Sequence, residues 1–175
     1  THGLEGHSRR PYVLGMARAL NAAGFDVVAR NLRGCSGELN RLPRAYHSGE
    51  TEDLRAVLEH ALAPGNYEAV ALVGFSVGGN QTLRFLGEDP ASVPGAVAAA
   101  VCVSVPCHLA ASERALARPG NRIYLNNFLK TLCAKVRRKT RDFPGLVDLD
   151  RLERVRDFRD FDDLFTAPRH GFRDA

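Results

Sequence analysis

The run Gly74-Phe75-Ser76-Val77-Gly78-Gly79 has the G-x-S-x-G spacing that lets a serine act as a nucleophile. A chain that passes from strand to helix within one residue forces that residue into strained φ/ψ, and side chains two positions before and after it would collide. Gly74 and Gly78 meet that requirement, and the turn lifts the Ser76 hydroxyl above the carboxyl edge of a sheet, where open α/β sheets bind ligands. The rival readings of the same run are phosphate loops or a plain tight turn. A dinucleotide fingerprint needs glycine where Ser76 stands, and a Walker loop needs Gly-Lys-Ser/Thr where Gly79-Asn80-Gln81 stands, so both phosphate loops fail on residues.

A second Gly-flanked turn, His2-Gly3-Leu4-Glu5-Gly6, turns backbone N–H groups outward. If Ser76 attacks an acyl carbonyl, the N–H groups of Val77 and Leu4 are the candidate donors to the developing oxyanion. Taken alone His2-Gly3 is an ordinary turn, and its interest comes from pairing with Ser76.

The elements that must hold these turns follow from periodicity. Val13, Met16, Ala17, Leu20 and Ala23 predict a helix from Pro11 to Ala23, stopped by Gly24. Phe25 to Arg30 reads as a strand leading into a long polar loop, Asn31 to Gly49. A helix is predicted over Thr51 to Ala63, with Glu52 and Asp53 in its first turn, where the helix dipole favours them. Ala69 to Val73 and Ala96 to Val105 read as parallel strands buried on both faces, with a helix from near Val77 between them. The alternation implies β-α-β units and an α/β fold. Beyond Pro106 the segments Leu109 to Ala117, Ile123 to Arg138 and Leu146 to Phe165 read as helices.

The 175 residues carry 24 Lys+Arg against 20 Asp+Glu, interspersed, for a net charge of +4, which does not describe a dedicated nucleic-acid binder. The longest nearly apolar run, Gly95 to Val105, is short of the roughly 20 residues of a membrane span. Cys35, Cys102, Cys107 and Cys133 have no metal-ligand spacing and read as reduced thiols, so a soluble, cytoplasmic protein is expected.

Together with Arg33-Gly34-Cys35-Ser36-Gly37, Tyr46 to Leu54 (YHSGETEDL), Pro119 to Tyr124 (PGNRIY) and Phe161 to Phe172, the two turns resemble one group of alpha/beta hydrolases. That group contains the bacterial YheT-type predicted hydrolases and the animal alpha/beta hydrolase domain lipases. The resemblance covers the whole chain. It implies an alpha/beta-hydrolase core over residues 1–106, incomplete here, and a helical cap over 107–175, inserted after the strand near 96–105. It also implies Ser76 as nucleophile with Leu4 and Val77 at the oxyanion hole. The family takes its acid and base from strands and loops after the cap, past residue 175. A central strand is expected to end at Thr1, so residues 1–175 alone are expected to be poorly folded and inactive.

The expected function is hydrolysis of carboxylic esters, short-chain or lipid, through a Ser76 acyl-enzyme with no metal or organic cofactor. Acyl transfer and a non-catalytic binding module on the same scaffold are the alternatives. An internal triad of Ser76, Asp162 or Asp163, and His170 respects the chain order, although these acids read more simply as helix caps and His170 as a lid residue. His47, His60 and His108 carry no such promotion. Phe158, Phe161, Leu164 and Phe165 read as packing, with an acyl pocket as the sharper alternative. The basic cluster Lys135, Arg137, Arg138, Lys139 and Arg141 reads as a solvated helix end, with an anionic-lipid or nucleic-acid contact as the lesser alternative.

Overall fold

A computed structural model describes residues 1–174. The chain divides into two compact units: Thr1–Ser36 with Tyr46–Cys107, and Gly37–Ala45 with the residues from His108 on.

The first unit is built on a two-stranded parallel sheet, β1 (Val70–Phe75) and β2 (Val97–Val103), joined through a helix, α3 (Val77–Glu88). The register pairs Val73 with Val101 and Phe75 with Val103, and Ser76 N–H donates to Val103 O at 2.8 Å just past the end of β1. On the other edge of β1 the Thr1 ammonium donates to Val73 O at 2.6 Å and Phe75 N–H donates to Thr1 O at 3.0 Å, the pattern of a parallel bridge. Two more helices belong here, α1 (Pro11–Ala22) and α2 (Glu52–Leu62). Leu54 and Leu58 of α2 pack with Leu72 of β1 and the fully buried Phe85 of α3, over whose ring the Arg55 guanidinium lies at 4.9 Å.

Two strand expectations need correction. Residues 25–30 form no strand: no neighbour offers them a ladder among the described residues, and Phe25 and Val28 stand 54% and 65% exposed. Strand propensity alone does not make a strand, because the backbone groups need a partner. The segment is held by side chains instead. Arg30 donates to Thr1 Oγ1 (2.9 Å) and to Gln81 Oε1 (2.5 Å), while Gln81 Nε2 donates to His47 O at 2.8 Å. β2, in turn, is an exposed edge rather than a strand buried on both faces, with Val101 54% exposed, because β1 is its only strand neighbour among the described residues.

The second unit is helical: α4 (Leu109–Leu116), α5 (Arg122–Asp142), α6 (Leu149–Glu153), α7 (Phe158–Phe161), a π-turn (Asp162–Thr166) and α8 (Ala167–His170). Its core gathers Leu125, Leu129 and Val136 of α5 with Leu146, Leu152, Phe161 and Phe165. The single helix expected over Leu146 to Phe165 starts three residues late and is broken once, at 154–157, and capping aspartates mark both starts. Asp148 Oδ1 accepts from Asp150 N and Arg151 N, and Asp157 Oδ1 accepts from Asp160 N at 2.8 Å, so each starts a new helix. Lys139 is not solvated as expected. It is buried, and its Nζ donates to Asn40 O at 3.0 Å and to Leu42 O, with the Phe143 ring 5.8 Å away. Those carbonyls satisfy an ammonium whose pKa burial pushes down against the opposing pull of Asp142.

Truncating Phe85 to alanine is expected to cost about 3–5 kcal/mol, since the side chain is wholly buried between α2 and β1. A urea titration of the variant checks this.

Candidate active site

Ser76 sits at the junction of β1 and α3 with φ 52° and ψ −120°, a conformation that non-glycine residues rarely adopt and that typically costs about 1–3 kcal/mol. The flanking glycines are compelled by contact. A Cβ added at Gly74 would lie 2.6 Å from Gly78 O and from Gly79 Cα, and one at Gly78 would lie 2.5 Å from His2 O. Ser76 is half-buried, and its hydroxyl makes no hydrogen bond among the described residues.

The turn at residues 3–6 closes through Gly6 N–H donating to Gly3 O at 3.0 Å, with Glu5 at φ 52°. Gly3 lies directly against the serine: a Cβ built on it would sit 3.1 Å from Ser76 Cβ and 3.7 Å from Ser76 Oγ. Leu4 and Val77 both pack on the cluster of Leu32, Cys35 and Tyr46. Among the described residues neither the Leu4 N–H nor the Val77 N–H is taken by a hydrogen bond, the latter because it opens α3, where the first N–H groups lack helical partners. The structure therefore brings Ser76, Leu4, Val77, Gly74 and Gly78 to one place.

What fixes the first turn was not evident from spacing. His2 is fully buried: its Nδ1–H donates to Gly3 O at 2.8 Å, and its Nε2 accepts Leu32 N–H at 3.0 Å. Burial pushes its pKa down to about 4, against the raising effect of the Gly3 carbonyl. With both ring nitrogens engaged, His2 is a brace and not a proton carrier. Tyr12 Oη accepts Gly3 N–H at 3.0 Å, and its ring meets Phe75 edge-on at 4.9 Å. Tyr46 Oη accepts Glu5 N–H and donates to Glu5 Oε1, both at 2.9 Å, and burial with the nearby Glu5 charge holds the phenol well above its usual pKa. The signal available for Tyr46 was its place in the Tyr46 to Leu54 segment that carries the family resemblance; Tyr12 looked like a helix residue with no special mark.

Beneath the loop, Arg33 grips Asp53 with two hydrogen bonds of 2.6 Å and reaches Glu50 at 3.3 Å. Burial alone would raise the Asp53 pKa, but the Arg33 hydrogen bonds and charge hold it below the ordinary value.

The other candidates make the following contacts within the second unit. Asp162 accepts from Thr166 Oγ1 at 2.6 Å within the π-turn, burial raises its pKa, and Asp163 pairs with Arg159 at 3.9 Å. His170 stacks on Phe172 at 6.2 Å. His108 caps α4 by accepting Ala111 N–H at 3.2 Å. Phe158, Phe161, Leu164 and Phe165 all belong to the packed core of the second unit. Among the described residues no group of His, Cys, Asp and Glu could hold a metal ion, and no helix is long and apolar enough to cross a membrane.

Residues 1–146, which include the parallel β-α-β unit and its strained serine, match the model of one family, the alpha/beta hydrolase fold. The chain belongs to it. It is 40% identical to "Putative esterase YheT" of Escherichia coli K12, over 99% of this chain and 51% of that protein. It is 35% identical to "Phospholipase ABHD3" of Mus musculus (98% of this chain, 41% of that protein) and 28% identical to "Monoacylglycerol lipase" of Saccharomyces cerevisiae (99% and 40%). The chain thus spans about half the length of these curated relatives, or somewhat less. No solved structure matches it.

The His2 brace carries a pH signature. The folded imidazole stays neutral down to about pH 4, whereas an unfolded one takes up a proton near 6.5, so the stability His2 contributes above pH 6.5 is lost as pH falls toward 4. His2→Gln is expected to lower stability at pH 7 and to flatten the decline across that window, read from urea midpoints at several pH values. Gly78→Ala is expected to cost about 1–3 kcal/mol at any pH, through the clash with His2 O, in the same titration.

Proposed function

We propose that the complete protein hydrolyses carboxylic esters, with Ser76 as the nucleophile. The observation that carries this reading is the Ser76 hydroxyl, without a hydrogen bond among the described residues, at φ 52° and pressed against Gly3, beside the N–H groups of Leu4 and Val77, which no described residue claims. Ser76 Oγ attacks the acyl carbon, its proton passes to a general base, and the carbonyl oxygen takes negative charge. The N–H donors of Leu4 and Val77 steady that oxyanion, a contribution of about 3 kcal/mol per donor in comparable sites. Collapse expels the alcohol, which takes the proton, and leaves an acyl-Ser76 ester that water cleaves in the second half-reaction. No step calls for a metal or organic cofactor.

Neither the base nor its carboxylate partner is assigned to this chain. His2 is excluded by its two engaged nitrogens. We place the pair in the remainder of the protein, so that residues 1–175 alone are inactive. The core is assigned to residues 1–106, apart from Gly37–Ala45, which clusters with the helical unit, and the cap to 107–175. Lipid acyl esters are the favoured substrate class, in keeping with the phospholipase and monoacylglycerol lipase names of two relatives.

Ser76→Ala in the complete protein is expected to lower turnover of a short-chain p-nitrophenyl ester at least about a thousandfold. The unaltered protein should in turn be labelled at Ser76 by a fluorophosphonate. Unchanged turnover, or labelling at another residue, removes the proposed role. Labelling without turnover of any ester points to the non-catalytic alternative.

A further inference from the structure

The longest helix, α5, has two unlike faces. Leu125, Leu129, Val136 and Lys139 are buried at spacings of three, four and seven, and the opposite stripe, Ile123, Asn127, Lys130, Ala134, Arg137, Arg138 and Arg141, is exposed throughout. Seven of its 21 residues are basic and Asp142 is its sole acid. A helix end explains only the cations of the last turn, because the dipole acts within one turn. Here they run from Arg122 to Arg141, about 28 Å along the axis. The facing segment pairs one of these cations, Glu153 meeting Arg137 at 3.5 Å, while the side-chain cations of Arg122 and Lys130, which line the same open groove, form no ion pair with a carboxylate among the described residues. At the start of the helix two large apolar side chains point outward, Ile123 at 82% and Tyr124 at 63% exposure.

Cations spread over a whole helix do not converge on one small anion; they match an extended negative surface. An aliphatic and an aromatic side chain exposed beside them is the pattern of a helix lying in a lipid interface, and phosphate contacts in a nucleic-acid groove would not need it. We propose that the outer face of α5 docks the protein on an anionic bilayer, with Ile123 and Tyr124 entering the interface and Lys130, Arg137, Arg138 and Arg141 resting on lipid headgroups. The inference does not rest on the chemistry assigned to Ser76.

The test is co-sedimentation of the complete protein with vesicles of phosphatidylcholine alone and with vesicles carrying roughly one-third phosphatidylglycerol. Binding is expected only to the anionic vesicles, and to fade as salt shrinks the screening length from about 10 Å at 0.1 M to about 3 Å at 1 M. Replacing Lys130, Arg138 and Arg141 together by Gln should weaken it about fivefold per cation, on the order of a hundredfold in all. The pair Ile123→Ser and Tyr124→Ser should weaken it about tenfold. Ser76→Ala should bind as the unaltered protein does, so a failure of the ester-hydrolysis reading and a failure of this one are told apart. Equal binding to both vesicle types overturns the proposal, as does undiminished binding by the folded triple variant, or affinity for duplex DNA with none for vesicles. Should the triple variant not fold, the lipid and salt dependence of the unaltered protein decides.

Discussion

The near-contact of two backbone turns governs the first unit. The carbonyls of Thr1 and His2 come so close to α3 that nothing larger than a hydrogen atom fits at Gly78, and Gly3 leans on the Ser76 side chain from the opposite direction. That approach holds Ser76 in a left-handed conformation that a relaxed chain would abandon. Strain of this kind persists only where the surroundings over-determine it. Here they do so through hydrogen bonds from Gly3 to Tyr12, from Glu5 to Tyr46 and from Leu32 to His2.

Much of this was legible in the residues. G-x-S-x-G named the strained serine and the glycines that make room for it, because a steric rule links the string to the bend. The helices around Val13, Leu54 and Leu125 followed from their periodicity, and β1 and β2 from their apolar runs. The misreadings share one cause. Phe25 to Arg30 and the faces of β2 were judged from local composition, whereas pairing and burial depend on what lies alongside. The helix starts at Asp148 and Asp157 went unread because an aspartate within an apolar-periodic run looks like a solvated position until its hydrogen bonds are known.

The bracing groups were the least visible. His2, Tyr12 and Tyr46 act through single hydrogen bonds to backbone atoms, and no spacing rule predicts those. The Arg33 pairing with Asp53 and Glu50 likewise joins residues 20 and 17 positions apart across a polar loop, a distance at which charge patterning carries no signal.

Lys139 ties the stretch from Gly37 to Ala45 into the helical unit by donating to Asn40 and Leu42. That unit is therefore discontinuous in the gene. A protein engineer who swapped residues 107–175 for the corresponding piece of a relative, keeping the old loop, would be asking a foreign helix to receive two carbonyls shaped for this lysine. Exchange of such units between homologues should succeed as a pair of segments or not at all, because the two carbonyls are backbone groups whose positions depend on the path of the whole loop and not on the side chains at 40 and 42.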